Sequence, residues 1–179
     1  MSPIWTSMIT ENMEAYKAGA EVIPNLFTTE WCGYFVRISV LPIAVLAAIS
    51  KVKRYSTLGK LALPATIFNI AEPVMFGLPI VLNPLLFIPW VFGFSFLWIW
   101  SYIFTSIIPM IPPIITQVTW TVPAPIAAYL GTGGSIFAFL FSLANYFIIG
   151  LIFYPFFKAL ERKEMESQIE GTEGIYENN

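Results

Sequence analysis

The sequence predicts an all-α membrane protein with about three transmembrane helices and two broken or re-entrant segments. Three observations predict it. No charged side chain falls between Glu72 and Lys158, an interval that fills nearly half of the 179 residues. Hydrophobic residues make up 57% of the chain and charged residues 11%, against about 25% charged in a soluble domain. Polar groups therefore cannot cover a water-facing surface. Prolines and glycines then cut the apolar stretch into unequal pieces, and a crossing needs about 20 apolar residues at 1.5 Å rise.

Residues 1–32 are mixed in character. Ile9, Met13, Tyr16 and Ala20 recur at helical spacing, with Glu11, Glu14 and Lys17 turned elsewhere. This predicts a short amphipathic helix, so residues 1–32 read as an interfacial segment. Nothing there has the basic start and apolar core of a signal peptide. The run from Tyr34 to Ile49 would itself serve as the insertion signal.

Residues 33–157 read as the membrane-embedded part. The first span, 33–50, contains Arg37 and Pro42. Arg37 either snorkels to the interface or faces a cavity. Lys51, Lys53, Arg54 and Lys60 follow, and Lys158, Arg162 and Lys163 follow the last apolar run. These are seven of the nine basic residues. The positive-inside rule places both groups in the cytoplasm, so an even number of crossings separates them.

Two stretches in between are long enough to span, Leu85–Phe104 and Ile136–Phe157. Two others are not. Pro64, Pro73 and Gly77 punctuate residues 61–78. Pro109, Pro112, Pro113, Pro123 and Pro125, then Gly131, Gly133 and Gly134, punctuate residues 106–134. Each internal proline removes a helix hydrogen bond. In lipid the freed backbone must be satisfied by protein or by water in a cavity. Both segments therefore read as broken or re-entrant. Residues 158–179 form a polar tail whose last ten residues are expected to be unstructured.

Composition excludes several functions. The net charge of −2 leaves no nucleic-acid footprint. There is no His, no Asp and a single cysteine, Cys32. A Cys/His zinc site, a Ser-His-Asp triad and an internal disulfide are excluded, and no metal or cofactor is expected. Cys32, with no His to activate it, reads as a small hydrophobe.

The chemistry-bearing residue is Glu72, in Phe68-Asn69-Ile70-Ala71-Glu72-Pro73. An acid at membrane depth costs roughly 2.5 kcal/mol or more and is normally kept for a substrate, an ion or a proton. Pro73 is expected to break the helix after it. Asn69, three residues earlier, would share its helical side. The two would suit a hydroxylated solute, unless Glu72 simply sits in interfacial water. Trp120 is the second candidate, since an indole face suits the C–H face of a pyranose. Its alternative is a place in the interfacial aromatic belt, where Trp90, Trp98 and Trp100 are also expected. Thr132-Gly133-Gly134 reads as a tight turn into the last span.

The words around Glu72 also carry a resemblance. Thr57-Leu58-Gly59-Lys60-Leu61-Ala62-Leu63-Pro64, Ile67-Phe68-Asn69-Ile70, Glu72-Pro73 and Phe76-Gly77-Leu78-Pro79 through Asn83-Pro84 resemble a bacterial sugar permease family. It is the membrane component, enzyme II C, of the phosphoenolpyruvate-dependent phosphotransferase system, lactose/cellobiose/chitobiose type. The resemblance continues through Trp120-Thr121, Pro123, Thr132-Gly133-Gly134 and Tyr154-Pro155-Phe156, and back to Pro3-Ile4-Trp5-Thr6 and Glu11-Asn12.

The resemblance implies a partial enzyme II C fold in a bacterial plasma membrane. It implies uptake of a disaccharide coupled to phosphorylation of its 6-hydroxyl by a phosphocysteine on a separate B component. It implies a sugar site of Asn69, Glu72, Trp120 and Thr121, with Glu72 orienting or deprotonating that hydroxyl. Such general-base work needs hydrogen-bond reach to the hydroxyl, and burial of the carboxylate would favour it. Expected partners are the disaccharide, the B component, membrane lipid, a separately made N-terminal half, and a second copy once complete.

Three departures accompany it. Family members are more than twice this length. Their functional His, in a Gly-Ile-His-Gly loop, would precede Met1. Asn-Glu-Pro is replaced by Ala71-Glu72-Pro73, and a Gly-rich stretch by Ile38-Ser39-Val40-Leu41-Pro42. A truncated or split permease component is therefore expected. A non-transporting membrane remnant and a proton-coupled transporter using Glu72 stay open as alternatives, as does whether the chain itself is an enzyme.

Overall fold

The structure, a computed structural model, describes the backbone of residues 3–36, 40–78, 80 and 82–177. The described residues are helices and loops, without strands. In order they are α1 (Pro3–Lys17), α2 (Thr29–Trp31) continuing as a π turn Cys32–Val36, α3 (Leu41–Ala48), α4 (Lys53–Ile67) and α5 (Glu72–Gly77). Then come α6 (Pro84–Tyr102) continuing as a π turn Ile103–Ile107, α7 (Ala124–Gly131) and α8 (Ile136–Glu177). Among the described residues, three stretches are long and apolar enough to cross a membrane: Thr29–Ala48, Pro84–Ile107 and Ile136–Ile169. Arg37 lies outside the described residues.

The helix α8 is the spine, packing against α3, α6 and α7, while α3 also packs on α4. Its inner face contributes Phe153 and Phe157 to a core shared with Phe35, Ile43 and Leu97, all buried. The outer faces of α6 and α8 expose Phe92, Ile99, Phe147 and Leu151. Side chains of that kind in contiguous bands are stable against lipid. Pro89 and Pro155 lie inside α6 and α8 without ending them.

The first span is tied to the spine by hydrogen bonds between its backbone and side chains on other helices. Ser142 Oγ donates to the carbonyl of Tyr34 at 2.6 Å, and Asn145 Nδ2 to that of Phe35 at 2.7 Å. Ser101 Oγ on α6 also reaches the Phe35 carbonyl, at 3.3 Å. The π turn departs from regular α-helical pairing there, and lipid offers no partner for an unpaired carbonyl.

At one end of the bundle the α3–α4 turn is pinned to α8. Glu161, nearly fully buried, accepts from the Ser50 hydroxyl, from the Lys51 amide at 2.8 Å and from Lys158 Nζ at 2.5 Å. Tyr55 donates to Glu164 at 3.3 Å beside it.

Two expectations change. Helix α1 buries Ile9 and Asn12, whereas Tyr16 is exposed and Ala20 lies beyond its end. Asn12 is drawn inward by tertiary hydrogen bonds that periodicity does not register. The last ten residues were expected to be unstructured, yet α8 continues to Glu177. No proline follows Pro155, so nothing in the sequence forces an earlier end.

Candidate functional site

Both proline-rich segments are broken, and their breaks meet. The helix α4 runs through Pro64 and ends at Ile67. Asn69 then adopts φ 62°, in the left-handed region. Its amide donates to the Thr66 carbonyl and the Ile70 amide to the Ala65 carbonyl, both at 3.1 Å. This is the helix-ending arrangement that favours glycine or asparagine. Chain reversal there leaves the Asn69 carboxamide free to reach a distant partner. Its Nδ2 donates to the carbonyls of Trp120 and Val122, both at 2.8 Å.

The interruption therefore falls before Glu72. The expectation that Pro73 breaks a helix after Glu72 is corrected: both residues lie in the first turn of α5. Proline is tolerated there because its missing N–H would be unpaired anyway, and the helix dipole favours an acid. Asn69 and Glu72 do not share a helical face as their spacing suggested. They reach the same place because the chain reverses between them.

The second segment, residues 108–123, is non-helical apart from turns. Its backbone is bonded by four other parts of the chain, and one of its side chains by a fifth. Asn12 Nδ2 donates to the Ile114 carbonyl at 2.8 Å. The Gly131 carbonyl accepts from the amides of Ile115 and Thr116 at 2.9 and 3.1 Å. The Tyr34 hydroxyl accepts from the Val118 amide at 3.1 Å. Asn69 takes the carbonyls of Trp120 and Val122, and Gln117 Nε2 donates to Glu30 Oε1 at 3.1 Å. Irregular backbone between apolar spans persists where protein satisfies it, and the backbone groups named here find such partners. Thr132-Gly133-Gly134 makes the expected tight turn, with φ 75° and 98° at the two glycines.

A cavity of about 510 Å³ opens where the two breaks meet. Asn69, Glu72, Met75, Trp120, Gln117, Glu30 and Tyr34 line it, with Trp90 and Phe94 from α6. That volume lies within the range typical of small-molecule sites. Three of the four residues chosen from the sequence, Asn69, Glu72 and Trp120, share it. Thr121 is not among its lining residues.

Glu72 is exposed at the rim of this cavity. Trp120 is 60% exposed, with its indole available to a ligand. Trp90 was expected in the interfacial belt but lines this cavity, set edge-on to Phe94 at 4.8 Å. Trp98 is exposed and stacks on Phe27 at 5.6 Å, while Trp100 packs on Phe104 at 4.6 Å. Two polar residues were missed. Glu30 falls within residues 1–32, which read as an interfacial segment, and Gln117 is the sole glutamine of the uncharged stretch. That solitary position was the available signal.

A family model described as "Phosphotransferase system, EIIC" matches residues 1–93. The chain belongs to the phosphotransferase-system EIIC family. The resemblance read from the words around Glu72 is borne out at that level. The lichenan permease IIC component of Bacillus subtilis (strain 168) is 32% identical over 173 residues, covering 94% of this chain and 38% of that protein. The cellobiose-specific EIIC component of Geobacillus stearothermophilus is 34% identical over 179 residues, covering 96% and 40%. Among solved structures, the transporter ChbC is similar, with a TM-score of 0.85 at 33% identity. The match covers 94% of this EIIC chain and 40% of that one, which is the IIC component of an N,N'-diacetylchitobiose-specific phosphotransferase system. This EIIC chain thus spans about two fifths of the length of these relatives.

Proposed function

We propose that this chain forms the sugar-binding part of a phosphotransferase-system permease, taking up a disaccharide of the cellobiose, lactose or chitobiose type. One observation carries the reading. The cavity joins the rim carboxylate of Glu72, the braced carboxamide of Asn69 and the open indole of Trp120. A neutral oligosaccharide needs both kinds of surface, hydrogen-bond acceptors for its hydroxyls and aromatic faces for its C–H faces.

In the coupled reaction, Glu72 accepts a hydrogen bond from the sugar's 6-hydroxyl. The hydroxyl oxygen attacks the phosphorus of a phosphocysteine on a separate B component. The P–S bond breaks, the thiolate stays on that component, and the hydroxyl proton passes to Glu72. Its place at an open rim leaves room for the donor to approach. The protein is multi-pass, with lipid against the apolar bands of α6 and α8, and works with a second copy once the permease is complete.

The C-terminus faces the cytoplasm. The hydrogen bonds from Ser50 and Lys51 to Glu161, and from Tyr55 to Glu164, support this orientation. They bring the two basic groups together at one end of the bundle, with two spans between them.

Calorimetric titration of the purified chain with cellobiose tests the reading. Glu72→Gln removes a charge-assisted hydrogen bond and is expected to weaken binding about ten- to hundredfold. Binding by Glu72→Gln as tight as by the natural chain would sink the site assignment.

A further inference from the structure

A second carboxylate lines the cavity, and its hydrogen-bonding capacity is half used. Glu30 is 8% exposed. Its Oε1 accepts from Gln117 Nε2 at 3.1 Å, and its Oε2 is buried with no hydrogen-bond partner among the described residues. A carboxylate oxygen left in that state is costly, and a bound donor relieves the cost. The last side-chain torsion of a glutamate is broad and soft, which lets the carboxylate turn toward the cavity that Glu30 lines.

We propose that Glu30 is a second sugar-binding acid of this site, accepting from a ring hydroxyl other than the one Glu72 serves. The inference rests on the sugar reading above and deepens it.

Three features support it. Glu30 belongs to the first membrane-spanning stretch, beginning at Thr29, while Glu72 begins α5, so the two acids approach the cavity from different elements. The Thr28 hydroxyl caps the first turn by accepting from the Trp31 amide at 3.1 Å, which fixes the backbone under Glu30. Gln117 sits in the same irregular segment as Trp120, so the segment that offers the indole also braces Glu30. A carboxylate is the strong acceptor for a sugar O–H, and two acids on different elements engage hydroxyls at different ring positions. The pair thereby selects for the stereochemistry of a disaccharide as well as for its reactive hydroxyl.

The test is a binding cycle with the purified chain in detergent, using cellobiose and its monodeoxy analogues, including 6-deoxycellobiose. Glu30→Gln is expected to weaken cellobiose binding about ten- to hundredfold. For one analogue deoxygenated elsewhere than position 6, the natural chain and Glu30→Gln bind equally, because the hydroxyl Glu30 takes is gone. A merely structural role would lower affinity for every analogue alike, and that result overturns the proposal. So does cellobiose binding by Glu30→Gln equal to the natural chain's, which leaves the Glu72 reading standing. Failure of the natural chain to bind any of these sugars overturns the sugar reading and Glu30's role together. Should Glu30→Gln fail to fold, Glu30→Asp, one methylene shorter, enters the same cycle.

Discussion

Asn69 donates a hydrogen bond to the carbonyl of Trp120 at 2.8 Å across 51 residues of sequence, and so joins the two helix breaks that build the cavity. The same nitrogen reaches Val122 at 2.8 Å. One carboxamide thus sets the position of the indole offered to a ligand.

Replacing Asn69 tests that role. Asn69→Ala loses both hydrogen bonds and places a Cβ-bearing residue without local support at φ 62°. Asn69→Gly loses the bonds but accepts the backbone conformation. Asn69→Ala is expected to destabilise by about 2–4 kcal/mol and Asn69→Gly by about 1–2 kcal/mol less than that. Thermal unfolding in detergent measures the order. Equal melting temperatures for the natural chain and Asn69→Ala would show that the staple contributes nothing.

Asn145 offers a second test, independent of any ligand. Its Nδ2 satisfies the Phe35 carbonyl at 2.7 Å inside the apolar bundle. Asn145→Leu strips the donor without leaving a large void. The expected cost is about 1–3 kcal/mol, the penalty of a buried acceptor losing its partner. Ser101, at 3.3 Å from the same carbonyl, moderates it. Hydrogen exchange should then rise across residues 29–36 before it rises in α8; uniform protection in both regions argues against the assignment.

Gly59 marks where α3 and α4 touch. A Cβ there would lie 2.2 Å from the Ala48 nitrogen and 2.6 Å from the Ala47 carbonyl carbon. Both are backbone atoms and cannot rotate away, so Gly59→Ala is expected to cost about 3 kcal/mol or more. Gly150→Ala is the control, since among the described residues its Cβ would meet only Pro42 Cβ, at 3.4 Å. That change should be neutral or mildly stabilising, by up to about 1 kcal/mol, because alanine favours helix. A Gly59→Ala chain as heat-stable as Gly150→Ala would show that the helices can separate freely.

Composition and proline spacing sufficed to identify the solvent of this protein and its element types. An uncharged interval of that length is stable only in lipid, and the long proline-poor pieces in it had to be helices. The sequence also marked two segments as broken, because proline deletes hydrogen bonds wherever it occurs. It singled out Asn69, Glu72 and Trp120, since polar or amphipathic groups beside such breaks are costly unless used.

How these pieces meet depends on long-range packing. Local spacing placed Asn69 on a helix face with Glu72, but a left-handed residue between α4 and α5 brings them together. The sequence placed Trp90 in an interfacial belt and Glu30 within an interfacial segment, while packing turned both into the cavity and left Thr121 out. Periodicity carries information over one or two helical turns. The contacts that build the cavity join residues 51 to 102 positions apart, and such contacts depend on which unpaired backbone groups find partners across the fold.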